Sequence, residues 1–236
     1  MEVFVAVWAT AGYVLGLALN PFIHQLPRGL PVFRPPTCEA CGANVAFITL
    51  RTWWRKCPAC GEPLTYDRVE WVMAALFLAL ALRFGQGLPV IAYSLYTAIL
   101  VVLAAVDLRH RFVYAIVIYP GLAAALVFTP LLTGTSLVST LIGVATGAAV
   151  FGAFYLIGRL AYRGVEPVGK GDIELGALMG AMVGFPHIIT ALFLGSIANA
   201  VVIASLLLLR RRGRRDFVPY GPGLCLGAFA AFFLNP

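Results

Sequence analysis

The sequence predicts an all-α integral membrane protein of about eight transmembrane helices with one small polar insert, and three observations predict it. Of the 236 residues, 61% are hydrophobic and only 11% are charged, and the mean hydropathy is +0.92, far more apolar than a soluble domain of this length. Apolar runs long enough to cross a bilayer recur along the chain. A single sizeable polar segment, residues 20–70, interrupts them and holds four of the five cysteines.

Reading apolar runs of about 17–25 residues as helical spans gives candidates near 3–19, 71–86, 89–106, 112–132, 136–158, 173–186, 188–209 and 218–234. The first opens with Glu2, has no basic segment before it and no small-residue cleavage site, so it reads as a span and not as a secretory signal. The chain then divides into a first transmembrane helix (1–19), an insert (20–70) and a polytopic membrane domain (71–236). No internal repeat is evident.

The formal net charge of +7 would suggest nucleic acid as partner in a soluble protein. Here its distribution points elsewhere. All basic residues but Arg83 fall in loops that alternation places on one side, among them Arg109, Arg111, Lys170 and the run Arg210-Arg211-Arg212-Gly213-Arg214-Arg215. The positive-inside rule puts that side, and the insert with it, in the cytosol. The partner implied is the lipid bilayer, with no nucleic acid. Trp53 and Trp54, beside Arg51, Arg55 and Lys56, read as an amphipathic cluster at headgroup level.

Within the insert, Cys38-Glu39-Ala40-Cys41 and Cys57-Pro58-Ala59-Cys60 each precede a glycine, Gly42 and Gly61. A Cys-x-x-Cys turn offers two thiolates to one ion, and two such turns separated by 15 residues suit a zinc-ribbon-like module. Paired disulfides are the other reading, and the reducing cytosol argues against them. Four cysteine ligands close the coordination sphere of zinc, so the metal is expected to be structural. Cys225, alone in the last span, reads as a small packing residue.

Two acids stand at the cytosolic boundary. Asp107 ends the apolar run from Ile99 to Val106, and Asp172 follows Gly169-Lys170-Gly171 at the start of another span. Acidic side chains at membrane depth are costly and point to function. Singly, Asp107 could pair with Arg109 or Arg111, and Asp172 could cap a helix. Together, two carboxylates sharing one proton can activate water against a peptide bond. Gly169 and Gly171 would let an extended substrate backbone approach, and Glu70, at the mouth of the second span, is a further candidate for substrate or methyl-transfer chemistry. The helix ends suggest roles: Asp107 at a C-terminus as proton donor, Asp172 at an N-terminus as proton acceptor.

The sequence resembles the type IV prepilin peptidases over nearly its whole length. Gly16-Leu17-Ala18-Leu19-Asn20 with Ile23-His24-Gln25-Leu26-Pro27 is similar to their first-span signature, and Leu64-Thr65-Tyr66-Asp67-Arg68-Val69-Glu70 to the stretch leading into their second span. Asp107-Leu108-Arg109-His110 resembles their first catalytic aspartate motif, Gly169-Lys170-Gly171-Asp172 their GxGD motif, and Val218-Pro219-Tyr220-Gly221-Pro222 their last-span signature. The resemblance implies a membrane aspartyl endopeptidase in the bacterial inner membrane, with Asp107 and Asp172 catalytic. Its substrates would be type IV prepilins or type II secretion pseudopilins, cut after glycine. It also implies N-methylation of the new amino terminus with S-adenosylmethionine, as in members with the cysteine insert. The chain departs from the family pattern at Gln25, Tyr114 and Glu174, where arginine, proline and lysine are usual, and in its short stretch between Cys41 and Cys57. Competing expectations are a peptidase without methyltransferase activity, a proton-coupled transporter with a zinc module, and a zinc-stabilised assembly protein.

Overall fold

The protein is described by a computed structural model covering residues 1–26, 37–38, 40–45, 56–64, 68–110, 115–161, 169–208 and 219–234. Among these residues lie eight helices and no strand beyond isolated bridges: α1 (Glu2–Gln25), α2 (Val69–Phe84), α3 (Leu88–His110), α4 (Ala115–Leu132), α5 (Leu137–Ala161), α6 (Lys170–Val183), α7 (His187–Leu208) and α8 (Gly221–Leu234). Each sits on one of the eight expected spans. Arg51, Trp53, Trp54, Arg55, Arg111, Tyr114 and the run from Arg210 to Arg215 lie outside the described residues.

Five helices, α1, α3, α4, α5 and α7, are long and apolar enough to cross a membrane, so the chain is a multi-pass membrane protein. The others are shorter. α6 and α8 have 14 residues each, about 21 Å of helix against a hydrocarbon core of roughly 30 Å. Several boundaries differ from the expected ones by a few residues, and two of these differences move candidate residues into helices. α1 runs past Leu19, where apolarity ends, to Gln25, because Asn20, His24 and Gln25 are buried and not solvated. α6 begins at Lys170 and not near 173, so Asp172 lies within its first turn.

The chain forms two compact units, Met1–Gln86 and Gly87–Pro236. In the first, α1 and α2 run antiparallel with their backbones close together. A Cβ at Gly12 would lie 2.7 Å from the Met73 carbonyl oxygen, and one at Gly16 would strike Glu70 Cα. Aromatic pairs flank this seam, Trp8 with Phe77 at 6.5 Å and Tyr13 edge-on to Trp71 at 5.2 Å.

In the second unit α3 is the most buried of the long helices. Tyr96 Oη and Thr129 Oγ1 lie 2.8 Å apart, and the threonine hydroxyl donates to the Ala181 carbonyl at 2.8 Å, so the tyrosine must be the donor in the first bond. This chain of bonds ties α3, α4 and α6 at buried positions. Against α6, α5 brings a second glycine pair: Gly143 and Gly147 face Gly180 and Gly176. A Cβ on Gly176 would sit 2.6 Å from the Gly147 carbonyl oxygen, and one on Gly180 would overlap that of Gly143. Glycine costs a helix about 1 kcal/mol relative to alanine, and here close backbone packing, the usual basis of helix association in lipid, offsets that cost. α7 and α8 repeat the arrangement through Gly195 and Gly227.

Candidate active site and metal centre

The four cysteines of the first unit stand on two knuckles of the same build. In residues 37–45 the Cys38 N–H donates to the Ala43 carbonyl at 2.9 Å and the Gly42 N–H to the Cys38 carbonyl at 2.9 Å. In residues 56–64 the Cys57 N–H donates to Glu62 and the Gly61 N–H to Cys57, both at 2.8 Å. Gly42 and Gly61 take φ of +71° and +75°, a conformation that favours glycine. A bridge closes each turn, Thr37 with Asn44 and Lys56 with Pro63. The chain therefore does contain a short structural repeat, offset by 19 residues. It escapes sequence inspection because only the cysteines, an alanine and the glycine recur.

The sulfur positions fit a tetrahedral ion. All four Sγ atoms lie within 4.8 Å of one another, with Cys38 to Cys60 and Cys41 to Cys57 each 3.7 Å apart. A tetrahedron with zinc–sulfur arms of about 2.3 Å has edges of about 3.8 Å. All are free thiols. The backbone N–H groups of Cys60 and Ala59 pull the Cys57 thiol down to about 7. At Cys60 the Glu62 N–H also lowers the value, but burial and the three neighbouring sulfurs push it up to about 12. Four sulfurs this close cannot all ionise without a cation, which is the condition a divalent metal relieves. Cys38, Val45, Cys57 and Leu64 form a small core that rests on Leu17 of α1.

Glu70 lies in the first turn of α2, almost fully buried, where its Oε2 accepts from Asn20 Nδ2 at 3.4 Å. The pair joins the two helices of this unit. Asn20 looked from sequence like a loop residue; its buried place on α1 is a tertiary fact.

In the second unit Asp107 occupies the last turn of α3 and is 6% exposed. Its Oδ2 accepts the Gly221 N–H, at the first residue of α8, at 3.0 Å. A Cβ there would lie 2.7 Å from that oxygen and would have to displace the carboxylate, so glycine permits this close approach. Pro222 follows and has no N–H to offer. Asp172 is the third residue of α6; its Oδ2 accepts the N–H of Gly169, the N-cap, at 3.2 Å, and its own N–H donates to the Gly169 carbonyl at 3.1 Å. The two carboxylates are near enough for Asp107 to act electrostatically on Asp172. Each thus bonds one backbone N–H at a helix N-terminal end, so helix ends alone no longer divide donor from acceptor between them.

Gly169 has extended backbone (φ −73°, ψ 152°) that any residue adopts, and a Cβ there would make ordinary contact with Asp172. Its service is the capping N–H. His110 and Arg109 are exposed in the last turn of α3. Two further side-chain bonds of this unit carry no sequence signal. Tyr119 of α4 donates to Glu174 Oε1 on α6 at 2.9 Å, and Asn199 of α7 donates through Nδ2 to the Tyr220 carbonyl at 2.9 Å.

A helical membrane protein with two carboxylates on separate helices of one unit and a four-cysteine module in the other defines the class of the protein. Residues 94–204 match the type IV leader peptidase family. The chain is 31% identical over 251 residues to the prepilin leader peptidase/N-methyltransferase of Aeromonas hydrophila, covering 92% of this chain and 86% of that protein. With the protein of that name from Bacillus subtilis (strain 168) it shares 27% identity over 236 residues, 93% of this chain and 92% of the relative. The chain belongs to the type IV leader peptidase family, a family of proteases. No solved structure matches it.

Proposed function

We propose that the chain removes the leaders of type IV prepilins or type II secretion pseudopilins, cutting after glycine at the cytosolic face of the bacterial inner membrane. The observation that supports this reading is that Asp107 and Asp172, from helices far apart in sequence, each accept a backbone N–H at a helix N-terminal end within one unit of a leader peptidase family member. With one proton shared between them, the ionised carboxylate takes a proton from water and the resulting hydroxide adds to the scissile carbonyl, whose oxygen receives the proton of the other carboxyl. Collapse of the tetrahedral adduct breaks the C–N bond, and the amine leaves with a proton from the dyad. The products are a leader ending in glycine and a pilin with a new amino terminus.

The relatives' names carry methyl transfer as well, and we extend it to this chain as methylation of that amino terminus. S-adenosylmethionine would supply the methyl group. The groove described on α1, lined by Val7, Thr10, Ala11, Val14, Leu15 and Ala18, does not fit it, being almost wholly apolar where a nucleoside and a carboxylate need polar partners. We assign no residue to that step. Zinc on Cys38, Cys41, Cys57 and Cys60 would hold the insert together and take no part in the chemistry.

Incubating the purified protein with a prepilin and weighing the product tests this reading. Loss of the leader, with the mass of one methyl group added when S-adenosylmethionine is present, is expected. An uncut prepilin would favour a transporter or an assembly protein.

A further inference from the structure

The bond that holds Asp107 comes from a peptide unit that is itself held. The Tyr220 carbonyl and the Gly221 N–H belong to one planar amide and point in opposite directions. On one side Asn199 Nδ2 donates to the Tyr220 oxygen at 2.9 Å, and on the other the Gly221 N–H donates to Asp107 Oδ2 at 3.0 Å. Asn199 is 4% exposed on α7. Room for its side chain exists only because residue 223 is glycine: a Cβ there would overlap the Asn199 amide.

We propose that Asn199 is a positioning residue for the peptidase reaction, acting on Asp107 through the Tyr220–Gly221 peptide. The proposal rests on the reading of Asp107 as half of the catalytic pair. Two effects combine. A planar amide pinned at its oxygen cannot rotate, so its N–H keeps its aim at Oδ2. A hydrogen bond donated to an amide oxygen also polarises that amide and makes its N–H a stronger donor. The ordinary α8 bond to the same oxygen, from the Leu224 N–H, is long at 3.5 Å and does little of this. Ser196, one turn away on α7, meets Tyr220 only at its phenol, 3.3 Å from Oη, and does not touch the amide.

The test uses full-length protein in nanodiscs with a prepilin substrate. Asn199→Leu keeps the size of the side chain and removes the donor. Its kcat for leader cleavage is expected to fall about tenfold with KM changed less than about twofold, and the pH profile of kcat to be displaced by about half a unit. Ser196→Ala is the control and keeps both. If Asn199→Leu does not accumulate in the membrane, Asn199→Ser, too short to reach the Tyr220 oxygen, is expected to give the same loss. A merely structural role would lower the thermal midpoint while leaving the kcat and pH profile of the folded protein unchanged, and that result overturns the proposal. Asp107→Asn, run alongside, separates the two claims. If it is inert and the Asn199 variants are normal, only the role of Asn199 falls; if it still cleaves, the dyad falls and the role of Asn199 with it.

Discussion

The cysteine knuckles and the aspartate site are both four-part constructions, but they are assembled over different distances. Each knuckle closes on itself within nine residues, through two backbone bonds, one bridge and one glycine of positive φ. The aspartate site draws on four helices, and the described bond to the Asp107 carboxylate spans 114 positions of sequence. A local device tolerates change elsewhere in the chain. A distant one depends on every helix that carries it, which is why the glycine seams and the buried bonds from Tyr96 to Thr129 to Ala181 matter to the site.

The largest effects should come from the carboxylates themselves. Asp107→Asn and Asp172→Asn are each expected to lower leader cleavage by at least about a thousandfold, followed by gel shift of a prepilin, while zinc content stays unchanged. Appreciable cleavage by either purified variant would end the dyad reading. Because only the singly protonated pair is competent, activity of the native protein should also fall at both ends of its pH profile.

Gly221→Ala asks whether the distant assembly is as tight as its geometry implies. A methyl group 2.7 Å from Asp107 Oδ2 must move the carboxylate or α8, and about a tenfold to hundredfold loss of kcat is expected, of the size of one lost oriented hydrogen bond. Wild-type kcat in that variant would mean the Gly221 amide is dispensable. Gly176→Val probes the seam instead and should lower stability by about 1–3 kcal/mol, read as a lower thermal midpoint in nanodiscs.

For the knuckles the expected pattern is reversed. Cys38→Ser with Cys57→Ser should abolish zinc binding, measured by elemental analysis, yet reduce cleavage only a few-fold. Full metal occupancy in the double variant would exclude the site, and complete loss of cleavage would mean that the two regions are not independent.

The smallest effect concerns protons at the metal. The folded-state value of Cys57 lies below that of a free thiol, so its thiolate is present above about 7 and is lost as the pH falls through it. Zinc uptake by the metal-free protein should therefore slow as the pH drops below about 7. A rate independent of pH between 6 and 8 (roughly one unit either side of that value) would show that the thiolates are not in competition with protons.

What the sequence determined by itself was mostly of short range. Apolar length set eight helices, the Cys-x-x-Cys-Gly spacing set the knuckles, and Asp107 and Asp172 stood out because charge at the edge of an apolar run is costly. Polar composition misled where burial decided: Asn20, His24 and Gln25 read as loop but complete α1. The chain-distant pairings were invisible, because a glycine, an asparagine and a carbonyl carry no mark of the partner they will meet. Whether Gly221 faces Asp107, or Asn199 the Tyr220 oxygen, depends on how α3, α7 and α8 pack. That packing is set by backbone contact along glycine seams, a property of pairs of helices that no single segment displays.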